Sequence, residues 1–197
     1  AMGIEPVLVA HARDTIADIK AVFAKAMKSA DVVITVGGVS VGDYDFVKDV
    51  LAALRVQQVF WSVAMKPGKP FFFGTLGQKL IFGLPGNPVS AMVTFETLVR
   101  PALRRMLGMT HETPMTLKAV LDSDLEKKGD RMEFVRGVLT LNQYGELAVS
   151  PTSGQDSHMV GGLANANCLI LFPKDKTLMT KGSLADVSLL QWGAEGL

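Results

Sequence analysis

Short apolar runs alternate with amphipathic stretches over the first third of the chain, and this pattern predicts an α/β fold. Strands are predicted at residues 6–10, 31–36 and 58–65, where apolar and β-branched residues predominate. Helices are predicted at 14–29, with Asp14 or Thr15 as the cap, and at 44–54, and in both the apolar positions recur every three or four residues. Strands and helices in this alternating order are typical of a parallel sheet with right-handed crossovers. We therefore expect a parallel sheet covered by helices.

A hairpin and a stiff loop are predicted next. Residues 71–74 and 79–82 predict paired strands, because both runs are apolar and a glycine-containing turn separates them. The loop KPGKP (66–70) precedes this hairpin, and its two prolines restrict the backbone on either side. Lys66 and Lys69 are thereby held beside a strand end. Taken alone, they are better explained as two solvated loop lysines.

A second stiff loop, GLPGNP (83–88), follows the hairpin and opens a helix that is predicted to reach about residue 108. Asn87 suits the cap of this helix, and Pro88 suits its first position. A kink is expected before Pro101. Taken alone, the loop is explained equally well as a turn stiffened for stability.

The composition changes at a polar linker, 109–114, and beyond it the hydrophobic period is mostly two. This alternation predicts a small all-β domain. We place the domains at 1–109 and 110–197. The predicted strands of the second domain are 115–121, 132–141, 146–150, 168–172 and 185–190.

Composition and charge narrow the classes of partner. A 197-residue chain that is 48% hydrophobic and has a net charge of +1 has no general attraction for nucleic acid or membranes. Its one cysteine, Cys168, excludes an internal disulfide and a multi-cysteine zinc site, as expected in a reducing compartment. No apolar run approaches membrane-spanning length. We therefore expect a cytoplasmic protein without nucleic-acid or membrane partners.

A glycine-rich loop at 37–42 joins the predicted strand 31–36 to a helix. In such a loop, backbone N–H groups can converge on an anion, and the helix dipole favours negative charge there. Asp43 and Asp45 follow directly, and carboxylates beside an anion suggest a divalent cation between them. In the other interpretation the glycines only turn the chain and Asp43 caps the helix. On this stretch alone, that simpler interpretation is slightly favoured.

Polar residues of the second domain cluster on one strand and in one loop. The strand 132–141 and the position before it carry alternating polar residues: Arg131, Glu133 and Arg136. The loop is SGQDSH (153–158). Arginines and a Ser/His loop can bind phosphate, although arginines on a strand face are more often solvated or paired. The three histidines have no metal-ligand spacing, and no nucleophile elbow, P-loop or dinucleotide fingerprint is present.

Five motifs together resemble one family. They are GGVSVGDYD (37–45), KPGKP (66–70), GLPGNPVSA (83–91), RMEFVRG (131–137) and GQDSH (154–158). In this order they resemble the MoeA/gephyrin E-domain family of molybdenum-insertion enzymes, and the resemblance covers nearly the whole chain, as the C-terminal part of the family. It implies a parallel three-layer αβα molybdopterin-binding (MogA-like) domain lacking its first strand, followed by a small all-β barrel-like domain.

The resemblance also implies an activity and its residues. Family members are molybdopterin molybdenumtransferases, which insert molybdate into adenylylated molybdopterin with release of AMP, assisted by Mg²⁺. By match to the family motifs, Asp45, Asp14, Lys66 and Lys69 are implied as catalytic residues, with Asp45 and Asp14 as the metal ligands. The implied cofactor-binding residues are Gly37, Gly38, Ser40, Gly42, Pro85, Gly86, Asn87, Pro88, Arg131, Arg136 and Ser157.

One departure from the family bears on activity. The family's T-G-D-E strand, the helix after it and two N-terminal domains have no counterpart in this sequence. Loss of a central strand leaves its neighbour unpaired on one side, so we expect the sheet to rearrange or to borrow pairing from another copy. A homo-oligomer and a separately encoded N-terminal half are the expected partners. The alternatives to an active enzyme are a catalytically impaired pterin- or phosphate-binding module and an interaction scaffold.

Overall fold

The computed structural model divides the chain into two units. The described residues are 2–39, 46–109, 116–155 and 160–190, without the side chain of Val160. The first unit comprises residues 1–63 and 68–94, and the second comprises 64–67 and 95–197. The domain boundary between 109 and 110 stays a prediction from composition.

Helices and strands alternate in the first unit, and strands predominate in the second. Up to residue 94 the elements are α1 (Ile16–Ser29), β1 (Val32–Val36), α2 (Phe46–Ala53), β2 (Gln57–Ser62), β3 (Met65–Lys66), β4 (Pro70–Leu76), β5 (Lys79–Leu84) and α3 (Pro88–Thr94). After a π-helical segment, Phe95–Val99, come α4 (Arg100–Met106), β6 (Thr116–Leu121), β7 (Leu125–Glu126), β8 (Met132–Leu141), β9 (Leu147–Pro151), α5 (Val160–Ala164), β10 (Cys168–Phe172), β11 (Leu178–Met179) and β12 (Leu184–Leu189). The π-helical segment lies where a kink was expected before Pro101. None of the described helices is long and apolar enough to cross a membrane.

Local signals in the sequence explain α1. Thr15 is its N-cap, and the Thr15 side chain accepts a hydrogen bond of 3.3 Å from the backbone N–H of Asp18. Arg13 Nε lies 2.6 Å from Asp18 Oδ2, and the pKa of Asp18 is lowered by this hydrogen bond. The residues that α1 buries recur at every fourth position on one face: Ile19, Phe23 and Met27.

The four-stranded sheet of the first unit is mixed, which corrects the expectation of a parallel sheet. Its order is β1-β5-β4-β2, with β1 parallel to β5 and the other two pairings antiparallel. The reason is the hairpin of β4 and β5, whose two-residue connection places β5 beside β1 and β4 beyond it. β2 therefore pairs with β4 rather than with a parallel neighbour.

The predicted strand at residues 6–10 is wrong. No strand occurs between residues 2 and 13, and Val7 and Val9 are 72% and 83% exposed. An apolar run gains little from forming a strand when it buries no surface and has no neighbour to pair with.

Both faces of this sheet are apolar, and its two edge strands are β1 and β2. Val33, Phe72 and Ile81 belong to the core that α1 and α2 share with the sheet. On the opposite face, residues in register across all four strands form an apolar row: Ile34, Phe82, Phe73 and Phe60. Among the described residues, β1 pairs only with β5, so its other side has the open edge expected for a strand without its neighbour.

The second unit contains a closed five-stranded barrel. The order β10-β12-β6-β9-β8 is closed by pairing of β8 with β10, and β3 pairs in parallel with the first two residues of β8. β7 and β11 form a separate two-stranded sheet. The barrel core includes the fully buried Ala119, Ile170 and Val187. The predicted class, an α/β domain followed by a barrel-like all-β domain, is confirmed.

The thiol of Cys168 is expected to be inert in the folded protein. Its side chain is fully buried on β10, and burial raises its pKa to about 12. At neutral pH the thiolate fraction is therefore about a thousandfold below that of an ordinary cysteine. We expect no reaction with a thiol reagent under native conditions and one thiol per chain in urea. Stoichiometric labelling of the native protein within minutes would contradict this placement.

Candidate functional site

Two glycine-containing loops meet at the carboxyl ends of the parallel strands β1 and β5. Gly37 and Gly38 follow β1 with φ of +89° and +70°. Residues other than glycine rarely adopt this backbone conformation. The N–H of Gly37 donates to the carbonyl of Leu84 at 3.0 Å, which extends the pairing beyond the strands. A Cβ on Gly86 would lie 3.4 Å from the Cα of Gly37. The loops are thus in backbone contact, and no side chain separates them.

The predicted cap of α3 is confirmed. Asn87 Oδ1 accepts hydrogen bonds from the N–H groups of Val89 at 3.1 Å and Ser90 at 3.3 Å. Pro88 is the first residue of the helix, while Pro85 is buried and Gly86 exposed. Because these two N–H groups donate to Asn87 Oδ1, the cap fixes the loop that lies beside Gly37.

The other site residues predicted in the first unit are either exposed or outside the described residues. Asp14 is exposed in the coil before α1, and the Lys69 side chain is exposed. The backbone carbonyl of Lys69 accepts from Val63 N–H at 3.1 Å, which ties its loop to the end of β2. Ser40, Gly42, Asp45 and, in the second unit, Ser157 lie outside the described residues.

The second unit brings together two predicted residues that are distant in sequence, Lys66 and Arg131. β3 runs beside the start of β8, with Met65 opposite Met132 and Lys66 opposite Glu133. Lys66 Nζ lies 3.3 Å from both carboxylate oxygens of Glu133. Arg131 Nη1 lies 3.5 Å from the carbonyl oxygen of Met65. The result is a small charged cluster at the start of β8.

A buried lysine that the sequence analysis missed fixes the chain before this cluster. Lys127 Nζ donates to the carbonyls of Arg131 at 2.6 Å, Lys174 at 3.2 Å and Gly129 at 3.4 Å, and it lies 5.4 Å from the ring centre of Phe172. These acceptors replace water around the ammonium group. The sequence offers no signal for this role, since Lys-Lys-Gly-Asp is typical of a solvated turn.

Arg136 is fully buried and holds a loop in place. Its Nη2 donates to the carbonyl of Gly154. The amide of Gln155 pairs with the backbone of Arg136, accepting from its N–H at 3.0 Å and donating to its carbonyl at 2.8 Å. The side chain and backbone of Arg136 therefore fix Gly154 and Gln155. Direct contact of Arg136 with a ligand stays a prediction.

No group of three or more histidine, cysteine, aspartate and glutamate side chains within the described ranges could hold a metal ion. Of the two predicted metal ligands, only Asp14 is described. A magnesium site therefore stays a prediction.

Comparison with known proteins places both units in one family. Residues 1–105 match the family described as "Probable molybdopterin binding domain", and residues 118–190 match "MoeA C-terminal region (domain IV)". A Haemophilus influenzae protein named molybdopterin molybdenumtransferase is 39% identical over 176 residues, which are 88% of this chain and 43% of that protein. A Staphylococcus aureus (strain COL) protein of the same name is 33% identical over 190 residues, covering 96% of this chain and 45% of that protein.

Solved structures show the same fold. The structure titled as the molybdopterin biosynthesis MoeA protein from Pyrococcus horikoshii has a TM-score of 0.71 and 27% identity, over 90% of this chain and 42% of that chain. A Pyrococcus furiosus molybdenum cofactor biosynthesis protein has a TM-score of 0.71 at 24% identity, over 94% of this chain and 59% of that chain. The chain spans less than half the length of these curated relatives. It belongs to the MoeA/gephyrin E-domain family and corresponds to the C-terminal part of its members.

Proposed function

We propose that the chain acts in molybdenum cofactor biosynthesis, in the insertion of molybdate into adenylylated molybdopterin with release of AMP. The observation that carries the proposal is the backbone contact of Gly37 with Gly86 at the carboxyl ends of β1 and β5. In open α/β sheets, ligands bind outside the carboxyl ends of the strands, and glycines let the backbone approach an anion. The two relatives named molybdopterin molybdenumtransferase support the same activity.

The proposed site residues follow from the charge of the substrate. A phosphoanhydride that breaks while an oxyanion is bound needs cations and fixed dipoles around it. In the first unit we assign Lys69 to anion binding and Asp45 and Asp14 to catalysis, with the two loops shaping the pterin pocket. In the second unit we assign Lys66, Arg131, Arg136 and Ser157 to substrate binding. The proposed loop residues are Gly37, Gly38, Ser40, Gly42, Pro85, Gly86, Asn87 and Pro88.

The residues that would hold Mg²⁺ are Asp45 and Asp14. Mg²⁺ is commonly held by one or two carboxylates, several waters and substrate phosphates, and the exposed carboxylate of Asp14 fits this donor set. When bound, the ion would neutralise charge on the phosphoanhydride.

The partners and location are also proposals. We propose a homo-oligomer. It is supported by the open edge of β1 and, separately, by the exposed Ile34 (40%) and Val36 (64%) on one face of that strand. A cytoplasmic location is supported by the single, buried cysteine, which needs no oxidising compartment. We retain 1–109 and 110–197 as the domains, in keeping with the residues that the two families match.

Calorimetric titration with adenylylated molybdopterin, with and without Mg²⁺, tests the proposal together with an assay of molybdate-dependent AMP release. We expect binding, and we expect Lys69→Ala to weaken it about 10- to 100-fold, because one charge-assisted contact to an anion is lost. Lys20→Ala, an exposed lysine on α1, is the matched control and should bind as the unsubstituted chain does. Light scattering of the same protein sample measures its oligomeric state, for which we expect a homo-oligomer.

The outcomes separate the alternatives. Binding with AMP release supports the enzyme, and binding without release favours an impaired pterin-binding module. The absence of binding, with or without Mg²⁺, would overturn the proposed function and favour an interaction scaffold.

A further inference from the structure

Glu133 lies within β8, and a strand pairs with its backbone on each side. It is opposite Phe172 of β10 on one side and Lys66 of β3 on the other. Its side chain is only 13% exposed. A carboxylate with so little freedom holds a fixed negative charge at one point of the barrel surface.

Lys66, in contrast to Glu133, has an exposed side chain. Its side chain is 53% exposed, so that its ammonium group is accessible from solvent while it contacts Glu133. The two N···O distances of 3.3 Å are longer than the 2.7–2.9 Å or so of a strong charge-assisted hydrogen bond. The ammonium group is therefore oriented by the carboxylate but held weakly, and another anion can compete for it.

Arg131 adds a second cation beside this pair. Its Nη1 has only a long contact, 3.5 Å, with the carbonyl of Met65. With Glu133 as the one carboxylate, the formal charge of Lys66, Arg131 and Glu133 together is +1. Lys127, four positions before Arg131, is buried and bound to three carbonyls, so its charge is not available to a ligand. The cluster of Lys66, Arg131 and Glu133 thus has the charge and the accessible donors to bind a tetrahedral oxyanion.

We propose that Glu133 is a competing counter-ion, which holds the Lys66 ammonium group near Arg131 until an oxyanion of phosphoryl or molybdate type displaces the carboxylate. The inference rests on the proposed function for the identity of the oxyanion, and it gives a role to Glu133, which lies within the motif RMEFVRG but has no role assigned there. Binding of the oxyanion breaks the Lys66–Glu133 contact and forms a contact of Lys66 with the oxyanion. No covalent bond changes.

A double-mutant cycle on the full chain tests the proposal, with inorganic phosphate and molybdate as separate probes. The four proteins are the unsubstituted chain, Glu133→Gln, Lys66→Ala and the double variant. Glu133→Gln keeps the shape of the side chain and removes the competing charge, so we expect the oxyanion to bind about three- to tenfold more tightly. In the Lys66→Ala background, the same substitution should change binding less than twofold, because the ammonium group that it releases is gone.

A role limited to folding predicts a different pattern. Unfolding midpoints in urea establish that each variant is folded. If the folded Glu133→Gln chain binds both oxyanions no more tightly than the unsubstituted chain, or if its gain persists without Lys66, the proposal is wrong. Which probe shows the larger gain identifies the oxyanion. Because neither probe contains the pterin, failure of the molybdopterin assay alone leaves this result unaffected.

Discussion

Replacing Lys127 by methionine is expected to lower the free energy of unfolding by about 2–4 kcal/mol. Methionine keeps an unbranched apolar side chain but removes the ammonium group that lies over the ring of Phe172 and donates to the carbonyls of Gly129, Arg131 and Lys174. Hydrogen bonds to a buried charge contribute more than neutral ones, and their acceptors lie where little water replaces the ammonium group. Urea unfolding followed by circular dichroism measures the loss.

The neighbouring lysine is the control for this experiment. Lys128 is exposed, so Lys128→Met should change the free energy of unfolding by no more than about 0.5 kcal/mol. Equal effects of the two substitutions would show that Lys127 does not bind the three carbonyls in solution.

The substitution Gly162→Ala is expected to cost about 1–3 kcal/mol of stability. A Cβ at this position would lie 2.8 Å from the carbonyl oxygens of both Ser153 and Gly154. These are backbone atoms, which cannot swing aside as the end of a side chain can. The loop that contains them must therefore move, and the amide pairing of Gln155 with Arg136 weakens. Hydrogen exchange of the Arg136 amide should accelerate together with the loss of stability.

Gly161 supplies a control in the same helix. It is exposed, and a Cβ there would meet nothing within 4 Å. Gly161→Ala should leave Arg136 exchange unchanged and alter stability by less than about 1 kcal/mol, in the stabilising direction. If Gly162→Ala behaved in the same way, the loop would not pack on α5 as described.

The features that sequence predicted correctly depend on neighbouring residues. The cap at Thr15, the hairpin of β4 and β5 and the cap at Asn87 each arise within a few positions of the chain. The alternation of polar and apolar residues with period two was sufficient to predict the long strand β8 and its bounds. Local signals of this kind survive folding because tertiary packing does not oppose them.

The errors and omissions concern contacts between distant residues. Strand direction was wrong for β2 because pairing depends on which strand lies beside it, which a local pattern does not contain. Neither the joining of β3 to β8 nor the contact of Lys66 with Glu133 could be read from residues 67 positions apart. For the candidate site, sequence supplied Lys66 and Arg131 separately, and only the barrel showed that Glu133 lies beside Lys66.

The excursion of residues 64–67 into the second unit also affects the order in which the protein can fold during synthesis. Lys66 is made 67 residues before Glu133, its neighbour in the finished sheet. At roughly 5–20 residues per second, translation separates the two by about 3–13 s. Throughout that interval β3 is available without a partner strand, while the hairpin of β4 and β5 that follows it can already pair. The first unit can therefore fold while residues 64–67 still lack their partner strand, and the second unit cannot be completed until β8 has been made.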